Sequence, residues 1–206
     1  GYNEVYRSFD SGNNWDTISN FGSSEKIGEI ALAPSDLNYI YIKKYYYHSI
    51  SVSKDGGLSW IDKTVPITNL IPALITDILI SPHDPETIWV TCSGWSASDK
   101  VLKSTDSGDS WINISDNLPN VPVNCIVYQD NAKNDLYIGT DLGVYHRDST
   151  MSDWMPFMTD LPNVAVTELE IHYGIGKIRA ATYGRGIWES NLNTLPVSVN
   201  FEDITS

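Results

Sequence analysis

A chain of 206 residues with 41% hydrophobic content is long enough to bury a sizeable core and is globular rather than disordered. Its 26 acidic residues against 13 basic ones leave a net charge of −13, which argues against a nucleic-acid backbone or an anionic membrane as partner and suits a soluble, extracellular protein. No apolar run reaches the roughly 18 residues of a transmembrane helix.

The chain opens at Gly1-Tyr2-Asn3 without an initiator Met or a signal peptide, and reads as a piece of a longer polypeptide whose targeting signal lies upstream. A short strand, Val5-Tyr6-Arg7, then leads into Ser8-Phe9-Asp10-Ser11-Gly12-Asn13-Asn14-Trp15. That pattern, S-x-D-x-G-x-x-W, returns as Ser53-Lys54-Asp55-Gly56-Gly57-Leu58-Ser59-Trp60 and as Ser104-Thr105-Asp106-Ser107-Gly108-Asp109-Ser110-Trp111. The copies lie roughly 45 to 50 residues apart, a period typical of propellers, solenoids and arrays. A strand precedes each copy and an alternating stretch follows its Trp, so each copy is the turn of a hairpin.

Between the copies lies a second hairpin. Residues 28–33 and 39–42 flank the turn residues Pro34, Asp36 and Asn38, and residues 76–81 and 87–90 flank Pro82, Asp84 and Pro85. The layout recurs at 123–128 with 135–139, and at 166–172 with 177–181. Four short strands per period, here called A to D, make one propeller blade, and no long helical period appears.

Two later repeats lack the box. Residues 144–154 keep its length, but Arg147 replaces the Ser, Ser149 the Asp and Met151 the Gly. Gly186-Ile187-Trp188-Glu189-Ser190 repeats a C strand and stops. The chain therefore begins with strands C and D, continues through three complete blades, and ends with A, B and C. Such a partial propeller of about four to five blades reads as the C-terminal part of a larger one. Residues 1–192 form it, and residues 193–206 read as a linker and the start of a following domain, which the resemblance given below implies to be a β-sandwich.

The residue types of the box suit a folded turn. The Asp accepts backbone N–H groups, the Gly takes positive φ, the Ser bonds locally, and the Trp packs between sheets. Three equivalent carboxylates on three blades cannot share one reaction centre, so Asp10, Asp55 and Asp106 are structural. The two cysteines, Cys92 and Cys125, sit in apolar runs and read as buried free thiols.

The three copies resemble Asp boxes, or bacterial neuraminidase repeats, over residues 1 to about 192. These mark sialidases, xyloglucanase-type glycoside hydrolases, sortilin-type receptors and many surface proteins, all β-propellers. The resemblance implies that the box lies on the C–D turn, opposite the ligand face. Residues 181–188, the linker and Val199-Asn200-Phe201 resemble multidomain surface proteins of Bacteroidetes-type bacteria. There the next module is often a polycystic-kidney-disease-type β-sandwich, and a type IX secretion signal ends the chain, which implies a secreted or cell-surface location.

On that assignment the B–C and D–A loops carry any ligand. The candidates are Tyr45, Tyr46, Tyr47, Trp95, Asp99, Asp141, Tyr183 and Arg185. Tyr45, Tyr46, Tyr47 and Trp95 suit a platform for sugar rings, with strand ends packed between blades as the plain alternative. Sialidase chemistry, as the resemblance implies it, needs an arginine cluster. Of Arg7, Arg147, Arg179 and Arg185, only Arg185 falls on this face. A glycosidase needs two flanking carboxyl groups, for which Asp99, Asp141 and Asp160 are the best placed.

His48, His83, His146 and His172 share no metal-ligand spacing. Calcium at Asp84-Pro85-Glu86 or at 106–109 would lack enough ordered oxygen ligands, so no metal or cofactor is expected. The reading is a non-catalytic module that binds a glycan or a protein, beside other domains of its own polypeptide and without nucleic acid or membrane insertion. A fragment of a polysaccharide-degrading glycoside hydrolase is the alternative, and a purely structural spacer is the third.

Overall fold

The computed structural model describes residues 3–22, 26–45, 48–65, 74–95 and 99–193. The first sheet pairs β1 (Glu4–Arg7) with β2 (Asp16–Asn20). The second holds β3 (Ile27–Leu32), β4 (Ile40–Lys44), β5 (Ser49–Ser53) and β6 (Ile61–Thr64). The third holds β7 (Ile75–Ile80), β8 (Ile88–Cys92), β9 (Val101–Ser104) and β10 (Ile112–Asn113). The fourth holds β11 (Val123–Gln129), β12 (Asp135–Thr140), β13 (Gly143–Arg147) and β14 (Met155–Pro156). The last holds β15 (Val166–His172), β16 (Lys177–Thr182) and β17 (Gly186–Asn191). Every pairing is antiparallel between strands consecutive in sequence, which is the expected all-β propeller with a C–D start and an A–B–C end. Among the described residues the only helix is a 3-10 turn at Tyr173–Ile175.

The core lies between sheets. Tyr41, Ile50 and Val52 of the second sheet pack on Ile78, Ile80 and Ile88 of the third. Trp89 and Val101 meet Val123, Ile126, Leu136 and Trp154, and Tyr137 and Val144 meet Val166, Leu169 and Ile178. The B strands β4, β8 and β12 are covered on both faces, which is why they read as near-continuous apolar runs. In contrast, β17 is exposed throughout, an edge with no fourth strand beside it among the described residues. Adjacent A strands touch one another, β3 with β7, β7 with β11 and β11 with β15, so they converge on the inner side of the arc.

Each of the four A strands carries a bulge near its start, between Ile27 and Glu29, Ile75 and Asp77, Val123 and Cys125, and Val166 and Glu168. The extra residue re-aims one side chain toward the next sheet. Thr76 Oγ1 donates to the Val123 carbonyl at 2.6 Å, and Asn124 Nδ2 to the Val166 carbonyl at 3.0 Å. Both cysteines are free and buried. Of residues 193–206, all but Asn193 lie outside the described residues.

Candidate functional site

The two ends of the sheets are distinguished by backbone hydrogen bonds. At one end each C–D turn bonds the A–B turn of its own sheet: Gly56 N to the Asn38 carbonyl, Ser107 N to that of Glu86 and Ser149 N to that of Lys133, each at 2.9 Å. At the other end the B–C loop bonds the approach to strand A. Tyr45 N donates to the Lys26 carbonyl at 2.8 Å, Ser93 N to that of Leu74 at 2.9 Å, Asp141 N to that of Pro122 at 3.2 Å, and Tyr183 N to that of Ala165 at 2.8 Å.

The boxes close on themselves at the first end. Ser8, Ser53 and Ser104 each donate from Oγ to the box carboxylate, at 2.9, 2.8 and 2.7 Å. Each Oγ also accepts the N–H of its box glycine, Gly12 at 2.7 Å and Gly57 and Gly108 at 2.8 Å. Asp10, Asp55 and Asp106 then accept the N–H of Asn14, Ser59 and Ser110, at 2.8, 2.9 and 2.8 Å. Trp15, Trp60 and Trp111 donate Nε1–H to the carbonyls of Gly12, Gly57 and Gly108, each at 3.1 Å. Hydrogen bonds from the Ser59 and Ser110 hydroxyls, then from their backbone N–H groups, hold Asp55 and Asp106 down at about 2. Those of Asn14 lower Asp10. Carboxylates so acidic and so fully engaged are poor bases.

The second box also reaches back to the preceding sheet. Trp60 Nε1 lies 3.3 Å from the Ile18 carbonyl, and its ring meets Phe21 edge-on with centroids 5.2 Å apart.

The opposite end presents aromatics. Tyr45 is 53% exposed, Trp95 67% and Tyr183 80%. Asp99 is buried and accepts Asn113 Nδ2 at 2.9 Å, while the next residue, Lys100, is buried and donates to the Gly94 carbonyl at 2.5 Å. Asp141 accepts Asn124 Nδ2 at 3.0 Å, the same amide that bridges to the fifth sheet. Arg185 is exposed, and its carbonyl accepts Trp188 Nε1 at 3.1 Å. Asp160 is exposed with φ at +65°. Tyr46, Tyr47 and residues 96–98 lie outside the described residues.

The structure adds a group that reading the loops alone misses. Immediately after the bulges, Glu29, Asp77 and Glu168 occupy equivalent positions on strands A, with Cys125 in the fourth. Burial, then a hydrogen bond and repulsion from Asp77, push Glu29 up to about 7, opposed by Lys43, whose Nζ lies 3.1 Å from the Glu29 carboxylate. Burial and Asp77 also raise Glu168. Asp77 accepts the Ile126 N–H from the next sheet at 2.8 Å. A carboxyl pair of this kind takes up a proton near neutrality, where an isolated Glu does not. Its sequence signal was the shared place in the repeat (Ile27-Gly28-Glu29, Ile75-Thr76-Asp77, Val166-Thr167-Glu168). Among the described residues no group of three His, Cys, Asp or Glu side chains is placed to hold a metal ion.

The arginines are dispersed. Arg7 donates to the Gly56 carbonyl at 3.2 Å, Arg147 pairs with Asp116 at 2.5 Å, and Arg179 pairs with Glu189 at 3.0 Å.

No curated protein matches the sequence. Several solved structures share the fold. The GH74 xyloglucanase from Xanthomonas campestris is 13% identical, with a TM-score of 0.66 over 89% of this chain and 32% of that one. The extracellular domain of a B. thetaiotaomicron protein described as a one component system is 15% identical, with a TM-score of 0.66 over 94% of this chain and 25% of that one. YCF48 bound to D1 peptide is 15% identical, with a TM-score of 0.59 over 82% of this chain and 51% of that one. The chain thus spans between a quarter and about half of the length of these relatives. A family model, Sortilin-Vps10 (sortilin, neurotensin receptor 3), matches residues 3–153. That match covers well over half of a chain folded as consecutive propeller sheets, and the chain belongs to the Sortilin-Vps10 family.

Proposed function

We propose that the chain is a non-catalytic, ligand-binding part of a propeller in a secreted or cell-surface bacterial protein. Its ligand, a glycan or a protein, sits on the end opposite the Asp boxes. The observation that carries this reading is the exposure of Tyr45, Trp95 and Tyr183 at that end, on the loops that follow β4, β8 and β16. Large amphipathic rings exposed on loops beside strand ends suit sugar faces and protein hot spots alike. In support, one structural neighbour is bound to a peptide and another is an extracellular domain. The reading invokes no metal or cofactor. The experiment is a screen against a glycan array and extracellular proteins, followed by titration of Trp95→Ala and Tyr183→Ala. Loss of an anchoring ring is expected to weaken binding about tenfold or more. No ligand in either screen, or variants that bind like the parent, would leave the spacer reading in its place.

A second reading, a fragment of a polysaccharide-degrading hydrolase, has one specific observation in its favour. Glu29 beside Asp77 is raised to about 7, the range of a general acid. Glu29→Gln in the full-length protein would then abolish hydrolysis without changing polysaccharide binding. Unchanged turnover in that variant removes this reading.

A further inference from the structure

The loss of the box in the fourth sheet has a structural consequence. Where the second and third sheets meet, the contact is closed. Tyr41 of β4 donates its hydroxyl to the Pro85 carbonyl at 2.7 Å, and its register partner Val52 is fully buried. The box glycine of the third sheet, Gly108, sits so close that a Cβ would lie 3.3 Å from the Lys63 side chain and 3.4 Å from that of Ile50.

Where the third and fourth sheets meet, each of these parts is changed. Trp89 stands in the place of Tyr41, and Lys103 in the place of Val52. Met151 stands in the place of the glycine. A cleft of about 480 Å³ opens there on the Asp-box end, bordered by Trp89, Lys103, Ile112, Tyr128, Arg147 and Met151.

Two groups at this cleft lack the partner their burial calls for. Trp89 is only 5% exposed, and among the described residues its indole N–H has no acceptor. A buried donor left so is uncommon, and this one is sealed from solvent, so it does not face the cleft. Lys103 lies with Nζ 5.5 Å from the centre of the Trp89 ring, and among the described residues it has no carboxylate within ion-pair distance. The neighbouring cations are already answered, Arg147 by Asp116 at 2.5 Å and Lys133 by Asp148 at 3.3 Å. One half-buried ammonium therefore remains beside the Trp89, Ile112, Tyr128 and Met151 side chains, in a cleft that the buried, Lys133-paired Asp148 also borders and in a chain of net charge −13.

We propose that this cleft binds a small aromatic carboxylate. The Lys103 ammonium holds the carboxylate. The aromatic body lies against the Trp89 and Tyr128 rings, whose centroids are 5.8 Å apart at a 37° tilt, and against Ile112 and Met151. The volume falls within the few hundred Å³ usual for small-molecule sites. One uncompensated cation suits a monoanion better than a phosphate or sulfate, which would need more donors.

The test is titration of the folded chain with phenylacetate by calorimetry or ligand-observed NMR. Saturable binding is expected, weakened about tenfold to a hundredfold in Lys103→Gln, the range of a charge-assisted hydrogen bond. Lys103→Arg, which keeps the charge, retains binding and guards against a folding artefact. Neutral phenylacetamide binds the parent more weakly and is indifferent to Lys103→Gln, and inorganic sulfate does not compete. Absence of saturation, unchanged affinity in Lys103→Gln, or equal affinity for the amide overturns the proposal. Trp95→Ala on the opposite end leaves phenylacetate binding unchanged, so this site and the proposed ligand face fail or stand separately.

Discussion

Adding a single methyl group at Gly57 probes how the boxes hold neighbouring sheets together. Gly57 has φ of +99°, and a Cβ there would lie 2.6 Å from Ile18 Cδ1 and 2.9 Å from Ile18 Cβ on the preceding sheet. The second distance involves the stem of a branched side chain, so a rotamer change cannot relieve it. Gly57→Ala therefore suffers twice. The left-handed backbone costs about 1–2 kcal/mol for any L side chain, and overpacking a filled contact adds about 1–3 kcal/mol.

Gly12 offers the matched control. Its φ is +89°, but a Cβ would meet only Trp15, at 3.9 Å. Gly12→Ala should lose the backbone part alone, and Gly108→Ala, with contacts of 3.3–3.4 Å, should fall between the two. Urea unfolding followed by tryptophan fluorescence reads the series through its midpoints and slopes. The order expected is Gly12, Gly108, Gly57, with Gly57→Ala about 1–3 kcal/mol worse than Gly12→Ala. Combining Gly57→Ala with Ile18→Ala should cost less than the sum of the two alone, because the second change removes the obstacle. Equal destabilisation at Gly12 and Gly57, or strict additivity with Ile18→Ala, would refute the inter-sheet account.

Stability should also depend on pH through Glu29. Its folded value, about 7, lies above the ordinary 4.5, so between these values the native chain binds more protons than the unfolded one. Stability is then full below about 4.5 and declines as the pH rises through about 7. The decline is about 1–3 kcal/mol once partial exposure is allowed for. Urea midpoints at pH 5 and 8 should differ in the parent and draw closer in Glu29→Gln, with the raised Glu168 keeping a smaller dependence of the same sign, and a parent that gains stability over this window contradicts the reading. For the cysteines, burial pushes the Cys92 thiol up to about 12 and raises Cys125 as well. Neither should react with a thiol-specific disulfide reagent in the native chain at pH 8, and both should react in denaturant. Fast modification of the native chain would place a thiol at the surface.

Some of this was legible in the chain because it is local. The hydrogen bonds of a box run between Ser104, Asp106, Gly108 and Ser110, within a few residues, so residue types at fixed spacing suffice to specify the turn. The apolar runs of β4 and β8 and the turn residues around Asp36 and Asp84 likewise state where hairpins form. Replacement of the box glycine by Met151 was visible too, but not what it does.

What the sequence by itself determined, then, is the repeat: four-stranded sheets, their order, and the end at which the boxes lie. Only the tertiary structure decided which side chains meet between sheets. Glu29 and Asp77 are 48 residues apart and look like ordinary strand acids until neighbouring A strands bring them together. Trp89 and Lys103 occupy positions held elsewhere by Tyr41 and Val52, and the cleft beside them depends on how the adjoining sheet packs against theirs. Backbone turns are set by short-range hydrogen bonds and sterics, whereas the pairing of distant side chains depends on how successive sheets stack.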